Sequence, residues 1–267
     1  MKRFAAFLIL LVAAAAGTVR WLDVVNYTDL ETGFVTWGPA WARYAVAGGV
    51  LLLLALGALL TPRRPAVLCG QSTAQGVLCF LSGFGFAALA GAKLAGWTEL
   101  DAFGKAGAAL YLISAVWMLL LGRSRFTPEF EAPTRSALMG VAGTLSLYLL
   151  TISRFGLAPT GMARVDANFA ALGALAALLF CAAQAKVAYI PGGRSGGWVF
   201  FTGGAAFLFC TCLALPGVLA RYLVGLAGAA DLAEGAALAL VGVCGAVYAF
   251  GCVGRAAPEE AVKTGEM

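Results

Sequence analysis

The chain contains no histidine. Imidazole is the commonest metal ligand and the side chain that ordinarily titrates near neutral pH, so its absence excludes His-based metal centres, haem held by a histidine and Ser-His hydrolysis. Charge is scarce as well. Asp, Glu, Lys and Arg make up 12% of the 267 residues, about half the share usual in soluble domains. No glycine-rich phosphate loop with its lysine is present, so ATP coupling would need another subunit. No basic stripe interleaved with aromatics marks a nucleic-acid surface, despite a net charge of +5.

The charges that are present fall in nine short clusters, and the eight intervals between them each leave 16 to 28 residues without Asp, Glu, Lys or Arg. No other gap between charges exceeds 11 residues. A hydrocarbon core of ~30 Å needs ~20 mostly apolar residues in a helix, because every backbone polar group must be satisfied within the segment and a charge at mid-depth is costly. The shortest intervals still qualify, since flanking Lys and Arg side chains can snorkel to the interface. With 61% hydrophobic residues and 35 glycines, the composition matches lipid-embedded helices whose small residues let backbones approach closely.

These features predict an all-α polytopic integral membrane protein, a single domain with eight transmembrane helices arranged as four helical hairpins. The expected spans lie near 4–19, 44–60, 76–92, 106–121, 137–153, 169–185, 198–220 and 235–253, followed by a polar tail over 254–267. Placing both ends in the cytoplasm puts eleven Lys/Arg inside and seven outside, the bias expected for a plasma-membrane protein oriented N-in and C-in. The opening MKRFAAFLILLVAAAAGT also has the form of a secretory signal. A retained first helix closed by Arg20 is the expectation, and the topology from Trp21 onward is the same either way.

Seven cysteines, six of them within spans and Cys69 beside the first inner loop, read as small apolar packing residues rather than a disulfide framework. Cys210-Thr211-Cys212 has no companion ligands and is not a metal site. No cofactor and no metal is expected.

Odd-numbered spans end on a basic residue, namely Arg20, Lys93, Arg154 and Arg221. They would either ring a mouth that attracts anions and lipid phosphates or serve as four separate interface anchors, the reading preferred here. Two of these ends share local sequence at an offset of 128 residues, Ala92-Lys93 with Ala220-Arg221 and 107–110 with 235–238, which raises the prospect of two parallel halves. The first outer loop, 20–43, carries carboxylates and Trp21, Trp37 and Trp41; it reads as an aromatic belt, the alternative being a ligand lid.

The seventh span is the most irregular, with Gly203-Gly204, Thr211 and Pro216-Gly217. Proline removes a backbone hydrogen bond, so this helix should leave a straight path and turn its loosened side toward protein or water, with Thr211 and Pro216 bordering any cavity.

Two functional readings follow. One is a small permease, or permease subunit, for an uncharged or lipid-like solute. The other is a non-catalytic scaffold assembling with copies of itself or with other membrane proteins. An enzyme is not expected. Candidate binding residues are Thr211, Pro216, Arg20, Lys93, Arg154 and Arg221, with membrane lipids as the expected partners and no nucleic acid.

Overall fold

In the computed structural model of the chain, the described residues are 2–68, 70–96, 102–127, 131–157, 161–190 and 193–254. Cys69, Thr98 and the stretch 255–267, with Arg255, Lys263 and most of the expected polar tail, lie outside them. Eight helical spans long and apolar enough to cross a membrane account for almost all of the regular structure. They are α1 (Lys2–Tyr27), α2 (Ala40–Leu60), α3 (Thr73–Ala95), α4 (Ala102–Ser124), α5 (Leu138–Leu157), α6 (Val165–Tyr189), a composite seventh span and α9 (Ala229–Cys252). The seventh span joins α7 (Gly196–Ala206), a π-helical segment (Phe207–Ala214) and α8 (Leu215–Leu223). One short 3₁₀ turn, Ala66–Leu68, sits between α2 and α3. The all-α polytopic membrane fold is therefore the fold observed.

An even number of spans returns the described chain to the side on which it starts. We call the opposite side, with the 28–39 loop, the distal face. Several helices continue beyond the charges expected to end them, and α1 is the clearest case: it runs two further turns past Arg20 to Tyr27. This corrects the expected loop 20–43 to residues 28–39. Arg20 stops no helix because its charge is neutralised inside the protein, as described below.

Sequential neighbours pair as hairpins, α3 with α4 and α5 with α6 among the most extensive, and the seventh span lies along α9. Burial divides centre from rim. In the most apolar stretch of each span, 67% of the seventh and 61% of α9 is buried, against 22% in both α1 and α2. Without a hydrophobic force between helices in lipid, close approach depends on small side chains. At Gly203 a Cβ would lie 2.5 Å from the carbonyl oxygen of Gly245, and a Cβ at Gly245 would strike Gly203 in return. Backbone thus packs on backbone between the two central spans. Similar approaches bring Gly17 of α1 against Cys212 and Gly57 of α2 against Phe200, at 2.9 and 2.8 Å for a Cβ.

The seventh span leaves α-helical geometry for a π-helical segment where the irregular sequence predicts a departure. Pro216 has no N–H for the preceding turn, and the eight residues before α8 adopt the wider π spacing. Leu208, Phe209, Cys210, Cys212, Leu213, Pro216 and Gly217 are all buried, so the loosened turn faces protein. The sequence echo at offset 128 has no matching environment. Gly235 packs on Val218 of its own hairpin, whereas Gly107 faces Leu149 of α5.

The loop 28–39 is held as a small folded unit. Thr28 and Val35 form an antiparallel bridge, Gly33 and Gly38 supply positive φ of 72° and 77°, and the Val35 amide donates to the Ala163 carbonyl at 3.2 Å. Hydrogen bonds from the Thr32 hydroxyl and the Glu31 amide hold the Asp29 carboxyl below its ordinary pKa range. Trp37 and Trp41 project outward, 68% and 63% exposed, where amphipathic rings meet the headgroup layer.

Candidate functional site

The basic residues at the distal ends of α1, α3 and α5 are not separate anchors. This corrects the preferred sequence reading. Each of the three is joined to an acidic residue on another span, and the physical reason is that a cation at the edge of the hydrocarbon is less costly when paired and hydrogen-bonded than when stretched to water alone.

The first cluster ties α1, α2 and α6. Arg20, only 3% exposed, pairs with Asp23 one turn along α1 and with Asp166 in the first turn of α6. Arg43 of α2 donates from Nε to both Asp23 oxygens at 3.0 and 2.9 Å and from Nη2 to the Trp37 carbonyl at 3.1 Å. The Arg20 guanidinium also lies 5.4 Å from the centre of the Phe169 ring. Beside this cluster, between α1 and α2, is an almost wholly apolar cavity of about 350 Å³, lined in part by Val19, Leu22, Val46 and Leu213.

The second cluster ties α3, α5 and α9 through one carboxylate and reaches α6 through Arg154. Glu234 of α9 accepts from Arg154 Nη2 on Oε1 at 2.6 Å, and its Oε2 lies 3.2 Å from Lys93 Nζ. Arg154 also donates from Nη1 to the Ala170 carbonyl of α6 at 2.6 Å. These groups line a chamber of about 490 Å³ with a mixed polar and apolar wall, whose other lining residues include Gly104, Tyr111, Leu149, Ser153 and Asp231, together with Gly107. Its lining on α4 runs from Gly104 to Tyr111, a rise of about 10 Å along the helix. Its charges balance, with Lys93 and Arg154 against Asp231 and Glu234. Beneath it, one turn deeper along α4, Ser114 donates to the Gly143 carbonyl at 2.7 Å and lies 2.7 Å from Ser146 Oγ, giving the α4–α5 seam a buried hydroxyl pair.

The six candidate residues thus separate. Lys93 and Arg154 meet at the chamber. Arg20 belongs to the first cluster, and Arg221 lines a smaller cavity with Asp166. Thr211 and Pro216 line neither these three cavities nor a fourth, an apolar groove between α1 and α9. Thr211 instead donates to the Ala239 carbonyl of α9 at 2.9 Å, and a Cβ on Gly242 would collide with its hydroxyl. Its place is in a helix contact. Thr211→Val keeps the shape and loses the hydrogen bond, so we expect a stability loss of about 1 kcal/mol or less, measured by denaturant unfolding in detergent, and no change at the chamber.

Sequence reasoning missed Asp23, Asp166 and Glu234 as partners of the basic residues. A usable signal existed: each lies at the distal end of a span, on the same side as the bases it neutralises. Tyr111 and the Ser114–Ser146 pair gave none, since single hydroxyls in apolar helices commonly bond their own backbone.

The described cysteines are all free and buried. Cys79 and Cys244 lie 3.8 Å apart, sulfur to sulfur, with Gln184 Nε2 3.6 Å from the Cys244 sulfur. No group of three or more Cys, Asp or Glu is placed to hold a metal among the described residues.

The chain matches no family model, no curated protein and no solved structure.

Proposed function

We propose that this multi-pass membrane protein is a permease, or the solute-binding subunit of one, that admits a small uncharged polar solute from the distal face. The chamber walled by Lys93, Glu234 and Arg154 carries this reading. Ionisable groups placed within membrane helices are costly and are commonly retained for function. Balanced charges provide donors and acceptors without selecting a net ion, which suits a neutral polar solute better than an anion or a cation. The hydroxyls of Tyr111, Ser114 and Ser146 continue the polar character inward along α4 and α5. On this reading the distal face is extracellular, both ends are cytoplasmic, the membrane is the plasma membrane and no bond is made or broken.

Proteoliposome swelling tests it. Vesicles holding the protein should take up one or more of glycerol, urea and erythritol faster than empty vesicles, without conducting ions. Gly107 lines the chamber, and a Cβ there would meet only Leu149 at 3.8 Å, so Gly107→Met can fill the space without unpacking the helix. It should cut uptake about tenfold, a barrier increase of about 1.4 kcal/mol. Uptake equal to empty vesicles for every solute, from protein that remains folded, would remove the proposal.

The scaffold reading has its own support. Spans seven and eight are closed backbone to backbone at Gly203 and Gly245, while α1 and α2 leave broad apolar faces uncovered by the rest of the chain. Absence of flux together with a stable membrane partner recovered on purification would favour it.

A further inference from the structure

A third cavity on the distal face, of about 260 Å³, is lined by Glu31, Arg164, Asp166 and Arg221, with Ala214 and Gly217 among its apolar contacts. Its four charges, two acidic and two basic, come from three separate places: the 28–39 loop, the start of α6 and the end of α8. One oxygen of Asp166 is taken by Arg20, but the other, Oδ2, is buried without a hydrogen-bond partner. Arg164 Nε is likewise buried and unpartnered, its guanidinium lying 5.1 Å from the centre of the Phe34 ring. Neither Arg164 nor Arg221 enters an ion pair among the described residues. Gly217 makes room for the carboxylate, since a Cβ there would lie 3.0 Å from Asp166 Oδ1.

A buried acceptor without a donor, beside two guanidinium groups with no described carboxylate within ion-pair distance, is the complement of a zwitterion. We propose that this cavity binds a phosphoethanolamine zwitterion presented by an aminophospholipid of the bilayer. The phosphate sits between Arg164 and Arg221, and the primary ammonium donates to Asp166 Oδ2, with Glu31 adding negative charge nearby. A phosphocholine head carries the same charges but has no N–H, so it leaves Oδ2 unpaired. The surroundings favour a lipid as the source. The Arg20–Asp166 pair separates this cavity from the apolar cavity between α1 and α2, and the exposed Trp37 lies at the rim of the latter. This site is independent of the Lys93 chamber and of the permease reading.

Native mass spectrometry of the full chain, exchanged into detergent with equimolar phosphatidylethanolamine and phosphatidylcholine, tests it. Retention of the ethanolamine lipid should exceed that of the choline lipid about tenfold, as expected for a lost charge-assisted hydrogen bond. Arg221→Gln and Arg164→Gln should each abolish the preference, the first while leaving elution and thermal unfolding of the lipid-free protein unchanged. Arg221 is exposed, which keeps its variant independent of folding. Equal retention of the two lipids, or a preference that survives both substitutions, would overturn the proposal. Displacement of the bound lipid by free phosphoethanolamine at submillimolar concentration would overturn the lipid source and assign the cavity to a soluble zwitterion.

Discussion

Glu234→Gln should lower the stability of the folded protein by about 3 kcal/mol, because it leaves two cations inside the bundle without their shared anion. Among the described residues Glu234 is the carboxylate paired with both Lys93 and Arg154, and the three side chains are only 16%, 27% and 19% exposed. The estimate takes the lower end of the range for a broken buried pair because Lys93 keeps some contact with solvent. Denaturant unfolding in detergent gives the number. The companion variant Lys93→Met/Arg154→Met/Glu234→Leu removes all three charges, and it should recover most of the loss, since a charge-free apolar set of similar volume costs no desolvation. A Glu234→Gln protein as stable as the parent would mean that solvent, and not Glu234, neutralises the two cations.

Gly203→Leu should have a comparable effect by a different route. The added Cβ would sit 2.5 Å from a carbonyl oxygen on α9, and that oxygen is fixed by helical hydrogen bonds and cannot rotate away. The two spans must separate, and overpacking on this scale costs about 3 kcal/mol. Gly48→Ala provides the contrast. Gly48 lies in α2 with nothing within 4 Å of where its Cβ would stand, so this change should be neutral or mildly stabilising through helix propensity, by up to about 1 kcal/mol. Thermal unfolding of the two variants in one detergent separates a packing requirement at Gly203 from a general sensitivity to losing glycine.

The difference between these two glycines also shows where sequence reasoning ends. Spacing of charge placed all eight spans, because exclusion of ions from hydrocarbon depends on composition along a segment and not on its neighbours. The departure of the seventh helix was legible too, since Pro216 acts on its own turn. Which glycine meets a neighbour depends on how the helices pack, and 203 and 48 are equivalent by composition. Ion pairing failed for the same reason. Arg20 and Asp166 are 146 residues apart; the pattern puts acids and bases at the same membrane edge, but which arginine meets which carboxylate depends on how the helices pack. Thr211 had the right surroundings to border a cavity, yet the widened π turn directs its hydroxyl to the Ala239 carbonyl and closes that space.

The permease reading depends on the chamber holding water and opening to the outside of the cell. Ser153 lines it and is half-buried, so Ser153→Cys in a Cys69→Ser background reports on it directly. Treating intact cells with a charged, membrane-impermeant methanethiosulfonate reagent should modify this cysteine from the outside, while Thr211→Cys, held in its helix contact, should remain unmodified. No modification of Ser153→Cys from either side, or modification only after the cells are permeabilised, would contradict the account.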